Sequence, residues 1–452
     1  MKEIDVAIIG GGPAGRVIVH ALHRSASQLK VSVFKNEEIN VNRCAVPYGI
    51  DGNKPLKAYQ IPNGLITDFG AELVVAEVTK IDPAKNIITL DDGRQFRYRY
   101  LVLSTGSRPF IPTIEGIESG KVLPVRSLND LEQLRKRAAS AKQKKVVVVG
   151  GGYIGVEVAV VLREMGLEAT IVETLPSILM QTCEPEFSET LSRILSEKGI
   201  ALMTDARVSS FRETDDSGVE VCLQDGSILP CDFAVLATGV QLNTNLAEAA
   251  GIDTNQFGIV TDDCQRTNFG NIFAAGDCAA KRSMVTGQPT RGEFGTNAVF
   301  MAKIVAKQIL GQEVGFPGVI NASVTKVFDW GIGSAGLTER MARNAGLDVV
   351  TGQSRVLDKY PMIEGVNRIQ TKLVFERQSG QLLGGTVMRR GDTVAANIDF
   401  LSLAIQMKAG IDDLLVHQYA THPELAAKPS DNQFVFAAED AAKARGLQMS
   451  TV

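Results

Sequence analysis

The chain has 452 residues, 44% apolar and 22% charged, enough for about three domains with sizeable buried cores. A net charge of −4 offers no basic field for nucleic acid, and no apolar run approaches the ~20 residues of a membrane span. Six cysteines show neither Cys-x2-Cys spacing nor a histidine at metal-site distance, which argues against a metal site. We therefore expect a soluble, cytoplasmic protein.

The chain opens with a dinucleotide-binding pattern. An apolar strand, Ile4 to Ile9, runs into a glycine turn, and a helix with apolar spacing follows from Val17 to Leu22. Gly10 permits the tight turn, Gly12 lets the backbone approach a pyrophosphate, and Gly15 lets the helix pack on the strand. The turn, called here the first glycine turn, consists of Gly10, Gly11, Gly12, Pro13, Ala14 and Gly15.

The next predicted strand, Val31 to Phe34, ends at Lys35, where a ribose-binding unit usually carries an acid. Asn36, Glu37 or Glu38 reaches the ribose instead if the turn bends back. The individual ribose contact is therefore open, with Asn36 among the candidates.

One cysteine, Cys44, follows about 30 residues after the first glycine turn, in the run Asn42 to Tyr48. A dithiol site of the Cys-x4-Cys type would need a second cysteine where Gly49 stands. A single thiol beside a redox cofactor predicts mixed-disulfide chemistry with a substrate. The alternative is that Cys44 is only a small buried apolar residue.

A second copy of the pattern begins 140 residues later. Val146 to Val149 enter a second glycine turn, residues 150–155, and an apolar helix runs from Val156 to Leu162. Each copy also has a later strand that ends in Thr-Gly, at Thr105-Gly106 and at Thr238-Gly239. Two complete copies in matching order predict two dinucleotide-binding units. The second turn consists of Gly150, Gly151, Gly152, Tyr153, Ile154 and Gly155.

Glu173 ends the second strand of the second unit, Glu168 to Val172, about 20 residues past the turn. A carboxylate there accepts hydrogen bonds from an adenosine ribose and repels a 2′-phosphate, which favours NADH over NADPH. The alternative is a solvated glutamate at a strand end.

Past residue 250 the run Asn271 to Ala279 is a short strand ending at Gly276-Asp277, and a helix is predicted from Asn297 to Ile309. Residues 320–452 alternate strands such as Lys372 to Glu376 with helices such as Asn397 to Ala409. The predicted fold class is α/β, with two Rossmann-like domains and an α+β C-terminal domain. The predicted boundaries are 1–115 and 250–318 for one dinucleotide domain, 116–249 for the other, and 319–452 for the C-terminal domain.

The order of these motifs resembles the FAD-dependent pyridine nucleotide-disulfide oxidoreductases. The resemblance rests on GGGPAG at 10, Cys-x-x-Pro-Tyr at 44, STGSRP at 104, GGGYIGVE at 150, ATG at 237 and FAAGDCA at 273. The lone cysteine resembles the single-cysteine branch, which contains coenzyme A-disulfide reductases, persulfide or polysulfide reductases, NADH oxidases and NADH peroxidases.

The resemblance implies FAD in the first unit and NADH, with NADPH as a possibility, in the second. It makes Cys44 the redox centre beside the isoalloxazine and Asp277 the ribityl contact. The implied cofactor-binding residues are Gly10, Gly12, Pro13, Ala14, Gly15, Asn36, Arg43, Val78, Thr105, Gly106, Asp277 and Asn297 for FAD, and Gly150, Gly152, Tyr153, Ile154, Gly155, Glu157, Glu173 and Gly239 for NADH.

The resemblance also implies a homodimer in which the C-terminal domain completes the partner's active site. Tyr360 and Tyr419 match tyrosines that approach the cysteine in coenzyme A-disulfide reductases. His422 resembles the acid–base histidine of the two-cysteine reductases, although Ala427 replaces its supporting glutamate. The alternative for His422 is a surface histidine in a proline-containing loop.

Two departures from the family bear on the substrate. Pro13 stands where NADH oxidases and peroxidases carry a histidine, which disfavours oxygen or peroxide as the main substrate. Of the contacts to coenzyme A, Arg24 and Asn297 are present, whereas Val17, Arg43 and Met301 differ. We predict an NADH-dependent reductase of a small disulfide, persulfide or polysulfide. The alternatives are an NADH oxidase or peroxidase, an electron-transfer reductase for a rubredoxin-like partner, and a redox-sensing binding protein.

Overall fold

The computed structural model describes residues 1–25, 28–214 and 218–446. Two compact units share the chain, and each draws on separate stretches of it. The first unit comprises Met1–Phe110, Val125–Gln133 and Gly239–Val319, and the second comprises Ile111–Pro124, Leu134–Thr238 and Ile320–Val452. The four-segment domain boundaries expected from the sequence remain a prediction.

A seven-stranded mixed sheet forms the core of the first unit. Its central strand Lys2–Ile9 pairs in parallel with Val31–Lys35 and with Gln95–Leu103. The ends of these strands near the first glycine turn are buried, and residues 6–9 and 101–103 are continuous buried apolar runs, as is usual for parallel strands covered on both faces. Across the sheet the order is Glu72–Val75, Val31–Lys35, Lys2–Ile9, Gln95–Leu103, Ile87–Leu90 and Val78–Asp82, and Ile272–Ala274 pairs in parallel with the end of Gln95–Leu103.

Two helices pack together in this unit, Pro13–Arg24 and Gly295–Ile309. Pro13 suits the first helical position because its missing N–H would have no partner there. The remaining helices are Gly64–Thr67 and Asn245–Ala249, with 3₁₀ turns at Arg43–Ala45, Pro47–Gly49 and Leu56–Tyr59. Two-stranded ribbons pair Asn40–Val41 with Gln60–Ile61, Ser107–Pro109 with Val240–Leu242, Thr254–Asn255 with Gly258–Ile259, and Lys281–Arg282 with Pro289–Thr290.

The second unit contains a five-stranded parallel sheet. Its order is Val122–Pro124, Phe233–Leu236, Lys145–Val149, Glu168–Val172 and Ile200–Met203. Helix Tyr153–Glu164 follows the central strand, and helix Pro185–Glu197 precedes the edge strand. The same unit also contains a three-stranded antiparallel meander, with strands Val208–Glu213, Val219–Leu223 and Ile228–Cys231. Helix Leu128–Ser140 begins in the first unit and ends in the second.

The C-terminal part of the second unit is a five-stranded antiparallel sheet, ordered Ser323–Val327, Trp330–Gly336, Leu382–Arg390, Arg368–Glu376 and Val349–Leu357. Helices Val394–Gln406 and Gln433–Ala444 cover one face of it, and Glu339–Asn344 and Ile411–Val416 complete the set. The helix expected over Asn397 to Ala409 therefore begins and ends three residues earlier. It ends there because Lys408 takes a left-handed backbone, with φ of 54°. The predicted fold class is confirmed.

Candidate active site

The first glycine turn has the geometry of a pyrophosphate cradle. Gly10 has φ of 114°, and a Cβ on it would lie 2.1 Å from the Ser104 carbonyl oxygen. A Cβ on Gly15 would lie 2.2 Å from the Gly10 carbonyl oxygen, so both positions require glycine. No atom lies within 4 Å of the Cβ position at Gly12. Helix Pro13–Arg24, with Pro13 and Ala14 as its first residues, therefore presents its N-terminus to open space, as an anion site requires.

The second glycine turn repeats this geometry. Gly150 has φ of 111°, and its Cβ position lies 2.3 Å from the Ala237 carbonyl oxygen. The Cβ position at Gly155 lies 1.9 Å from the Gly150 carbonyl oxygen, whereas the Cβ position at Gly152 is open. Tyr153 and Ile154 begin the helix that follows. Both Thr-Gly turns also contain a left-handed glycine, with φ of 68° at Gly106 and 94° at Gly239.

Glu173 lies beside the second glycine turn. Its carboxylate accepts hydrogen bonds from the Gly151 amide at 2.6 Å, the Leu175 amide at 2.8 Å and the Thr174 hydroxyl at 3.1 Å. The carboxylate is thus held at the end of strand Glu168–Val172, beside the turn that would carry the pyrophosphate. Its contact with a ribose stays a prediction.

Lys35, at the corresponding strand end in the first unit, is buried. Its Nζ donates to Asn63 Oδ1 at 2.7 Å and to the Glu38 carbonyl oxygen at 3.2 Å. Burial lowers the pKa of Lys35, and the charge of nearby Glu37 partly opposes that shift. Because the ammonium points to these neighbours, the adjacent exposed Asn36 remains a candidate for the ribose.

Cys44 lies on the 3₁₀ turn Arg43–Ala45 and is exposed in the chain. The position five residues on has no room for a side chain, because a Cβ on Gly49 would lie 2.9 Å from both Leu131 Cδ2 and Tyr59 Cζ. None of the six cysteines forms a disulfide in the described part of the chain. Four others, Cys183, Cys222, Cys231 and Cys278, are buried, and burial raises the pKa of Cys231 to about 12.

Asp277 is held by Ser107, which lies within the STGSRP run at 104, and by Arg126, which no sequence motif indicated. Ser107 Oγ donates to Asp277 Oδ2 at 2.6 Å. Arg126 Nη2 donates to the Ser107 carbonyl oxygen at 2.6 Å and to Ser107 Oγ at 2.9 Å, and it lies 3.8 Å from Asp277 Oδ2. Arg126 lies in the short segment Val125–Gln133, which belongs to the first unit although the stretches before and after it belong to the second. The contact between Arg126 and Asp277 is therefore visible only in the folded chain.

Electrostatics connect Arg126 to the cysteine. The pKa of Arg126 is lowered to about 10, chiefly by burial and secondly by the charge of Arg43, while the charges of Asp277, Glu37 and Cys44 partly oppose the shift. Arg43 itself pairs with Glu37, with 3.2 Å between Nη2 and Oε1. A thiolate at Cys44 therefore interacts favourably with a buried guanidinium of the same unit.

The other predicted residues of the first unit lie on its core elements. Val78 is buried at the start of strand Val78–Asp82. Asn297, in the first turn of helix Gly295–Ile309, is buried and donates to the Gly292 carbonyl oxygen at 2.9 Å. Thr105 Oγ1 donates to the Asn243 carbonyl oxygen at 2.7 Å.

In the second unit, two predicted NADH-site residues contact the C-terminal sheet. The Tyr153 hydroxyl lies 2.8 Å from Ser323 Oγ, and Glu157 Oε1 accepts from Thr325 Oγ1 at 2.7 Å. Both side chains project from helix Tyr153–Glu164 towards strand Ser323–Val327. Burial raises the pKa of Tyr153, so its hydroxyl stays protonated at neutral pH.

Tyr360, Tyr419 and His422 belong to loops of the second unit, whereas Cys44 belongs to the first. The Tyr360 amide donates to the Pro423 carbonyl oxygen at 3.0 Å, which ties Tyr360 to the loop of His422. His422 is exposed, and its Nδ1 accepts from the Glu424 amide at 3.3 Å. The Tyr419 hydroxyl donates to the Pro429 carbonyl oxygen at 2.6 Å.

The described residues contain neither a membrane-spanning helix nor a cluster of metal ligands. No helix there is long and apolar enough to cross a membrane. In the same residues no three histidine, cysteine or carboxylate side chains come together as metal ligands.

Comparison with known proteins agrees with this geometry. Residues 4–302 match the family model described as pyridine nucleotide-disulphide oxidoreductase, and residues 322–432 match the dimerisation domain of the same family. An NADH oxidase of Methanocaldococcus jannaschii is 33% identical over 96% of this chain and 98% of its own length.

Two sulfur-reducing enzymes are also similar. An NAD(P)H coenzyme A polysulfide/persulfide reductase of Pyrococcus horikoshii is 29% identical over 88% of this chain and 91% of its own. The structure of an NAD-dependent persulfide reductase from A. fulgidus superposes with a TM-score of 0.92 at 29% identity, over 98% of this chain and 84% of that one. The predicted family is confirmed: the chain belongs to the pyridine nucleotide-disulphide oxidoreductases, with FAD and NAD(P)H as its cofactors.

Proposed function

We propose that this protein uses NADH to reduce a small disulfide, persulfide or polysulfide, with Cys44 as its redox-active residue. The observation that carries the proposal is an exposed Cys44 in the same unit as the first glycine turn and Asp277. Since Gly49 stands where a second cysteine would be needed, the thiol forms its disulfide with the substrate. Relatives named as persulfide or polysulfide reductases support this substrate class.

The residues of the first unit fit FAD. The open space over Gly12 suits a pyrophosphate, and the carboxylate of Asp277, fixed by Ser107 and Arg126, suits a ribityl hydroxyl. When bound, FAD supplies a two-electron relay between the nicotinamide and sulfur. The protein itself holds Cys44 on the turn Arg43–Ala45, and the positive charge of Arg126 favours the thiolate form of Cys44.

The sulfur chemistry at Cys44 is a thiol–disulfide exchange. The thiolate attacks one sulfur of the substrate disulfide, so that a bond forms between Sγ and that sulfur while the substrate S–S bond breaks. The released half departs as a thiolate and takes a proton. Two electrons that originate on NADH then cleave the mixed disulfide, returning Cys44 as a thiolate and releasing the second half. In sum, NADH, one proton and one disulfide give NAD⁺ and two thiols.

The proton for the departing thiolate comes from the dimer partner. The match of residues 322–432 to the family's dimerisation domain supports a homodimer. In that dimer Tyr360, Tyr419 and His422 of one subunit face Cys44 of the other, and His422 acts as the general acid. An imidazole is suited to this task because its usual pKa of about 6.5 lies close to neutral pH.

NADH oxidation by oxygen is the second candidate. One observation favours it: the Methanocaldococcus relative named NADH oxidase is 33% identical over 96% of the chain. Against it stands Pro13, where the resemblance to oxidases would require a histidine in the first glycine turn.

An anaerobic NADH titration of the wild type, Cys44→Ser and Cys264→Ser tests the proposal. Cys264 is half-buried in another turn, so its variant controls for thiol loss. We expect the wild type and Cys264→Ser, first converted to the Cys44 mixed disulfide with a small disulfide and freed of excess reagent, to take up two NADH equivalents per subunit, one for FAD and one for the mixed disulfide, and to reduce coenzyme A disulfide or polysulfide. Cys44→Ser should take up one equivalent and lose that turnover while it keeps FAD.

Three results would change the assignment. Disulfide turnover that persists in Cys44→Ser contradicts the proposal. Oxygen consumption that far exceeds sulfur turnover favours the oxidase. Undiminished transfer to one-electron acceptors by Cys44→Ser, without any sulfur turnover in the wild type, favours an electron-transfer reductase.

A further inference from the structure

A cleft of about 490 Å³ lies in the second unit, and no residue of either glycine turn lines it. Helix Pro185–Glu197 forms one wall of the cleft. The five-stranded antiparallel sheet forms the other wall, with the face opposite helices Val394–Gln406 and Gln433–Ala444. Cavities that bind small ligands are commonly of this size.

Ion pairs fix the start of helix Pro185–Glu197 to the sheet. Lys372 is buried and belongs to the sheet face that lines the cleft. Its Nζ lies 3.3 Å from a carboxylate oxygen of Glu184, 3.0 Å from one of Glu186 and 2.9 Å from one of Glu339. These ion pairs hold the start of helix Pro185–Glu197 against the sheet. Towards its other end the helix leaves the sheet face open, and the cleft lies there.

The lining is rich in cations. Five basic side chains line the cleft against three carboxylates, although the whole chain carries a net charge of −4. The carboxylates are already engaged: Glu186 with Lys372 at 3.0 Å, Asp329 with Arg390 at 3.3 Å, and Glu197 with Arg193 at 4.0 Å.

Two arginines of the lining, Arg355 and Arg368, are not engaged by these carboxylates. Arg355 and Arg368 are exposed on neighbouring strands, with Arg355 opposite Gln370, two residues from Arg368. Among the residues that the structure describes, no carboxylate lies within 4.0 Å of either guanidinium. Lys198 is also in the lining, and its Nζ lies 5.7 Å from the centroid of the Phe328 ring.

We propose that this cleft binds a phosphoanhydride chain, either as inorganic polyphosphate or as the triphosphate of a nucleotide. Arg355 and Arg368 hold the phosphate oxygens, since the planar guanidinium matches phosphate geometry with two parallel hydrogen bonds. Lys198 adds a third positive charge. A single anionic charge would leave two of these cations without a counter-charge, so the site selects a multiply charged ligand.

Trp330 makes the site directly observable. It is the only tryptophan in the chain, it lines the cleft, and Arg390 lies 5.0 Å above its ring. A ligand that draws on the neighbouring guanidiniums changes the surroundings of this ring. Tryptophan emission of the holoenzyme therefore reports on the surroundings of this one ring in the cleft.

The test titrates the holoenzyme with tripolyphosphate and with ATP, and follows Trp330 emission and heat by calorimetry. The double variant Arg355→Gln, Arg368→Gln removes the two guanidiniums. The double variant Arg97→Gln, Arg212→Gln is the control, because it removes two exposed strand arginines elsewhere. We expect the wild type and the control to bind, with affinity that falls as salt rises, and the cleft variant to bind at least about tenfold more weakly.

The two ligands separate the sources. Equal affinity for tripolyphosphate and ATP assigns recognition to the phosphate chain alone, and tighter binding of ATP assigns a nucleotide. Binding that persists in the cleft variant overturns the proposal, as does the absence of heat and of an emission change in the wild type at millimolar ligand. Heat in every variant without a Trp330 response, as ATP in the second glycine turn would give, places the ligand outside this cleft and overturns the proposal as well.

Discussion

The Ser107 hydroxyl donates a 2.6 Å hydrogen bond to Asp277 Oδ2. Arg126 supports this pair from the other side, with its Nη2 on both oxygens of Ser107 and 3.8 Å from the carboxylate. The carboxylate proposed to meet the ribityl chain is therefore held in place by contacts within the protein.

Arg126→Met should weaken FAD binding about tenfold, because it removes charge-assisted hydrogen bonds and leaves Asp277 with Ser107 alone. Flavin content after dialysis and the dissociation constant for FAD measure the effect. Arg97→Met, on an exposed position of strand Gln95–Leu103, is the matched control and should keep its flavin. Equal FAD affinity in the two variants would show that Arg126 does not position Asp277.

Glu173→Ala should lower the preference for NADH over NADPH, measured as the ratio of kcat/KM values, by about tenfold or more. The carboxylate lies beside the second glycine turn, where its negative charge would repel the negatively charged 2′-phosphate of NADPH at short range. Glu168→Ala, at the exposed start of the same strand, is the control. An unchanged ratio in Glu173→Ala would place the ribose elsewhere.

Lys372→Met should lower the free energy of unfolding by about 3–5 kcal/mol, because it leaves three close carboxylates without their buried cation. Denaturant unfolding of the holoenzyme measures this. Lys326→Met removes an exposed lysine that pairs with Asp392, in the bend between strand Leu382–Arg390 and helix Val394–Gln406, and its cost should stay below about 1 kcal/mol. Similar losses in both variants would mean that the buried cluster contributes little.

Glu184→Gln should change how stability depends on pH. Burial raises the pKa of Glu184, so the folded state binds its proton more readily than the unfolded chain does. Between the unfolded and the folded pKa the folded state therefore holds more protons, and stability rises as the pH falls through that window. Unfolding free energies measured from neutral pH downwards should rise for the wild type relative to Glu184→Gln. Parallel curves for the two proteins would contradict the shift.

The glycine turns were predictable from the sequence because their requirements are local. Positive φ at Gly10 and Gly150, and the close approach at Gly15 and Gly155, depend on residues within one strand–turn–helix unit. The ends of helix Val394–Gln406 were less predictable. The apolar pattern continues to Ala409, although the left-handed backbone of Lys408 has already ended the helix.

Arg126 and Lys372 could not be predicted, because neither belongs to a motif. Arg126 meets Asp277 from a distant segment, and Lys372 occupies a strand position that reads as an ordinary solvated charge. Only the tertiary fold places the first beside a carboxylate and the second among three. The same holds for Lys35, whose partner Asn63 lies 28 residues away.

The discontinuity of the first unit has a consequence for biosynthesis. The sheet built from the N-terminal segment is completed by Ile272–Ala274, and Asp277 follows directly after that strand. A nascent chain that has left the ribosome only as far as the second glycine turn lacks both. We therefore expect the flavin to be captured late in translation, after the nucleotide-binding strands of the second unit have already emerged.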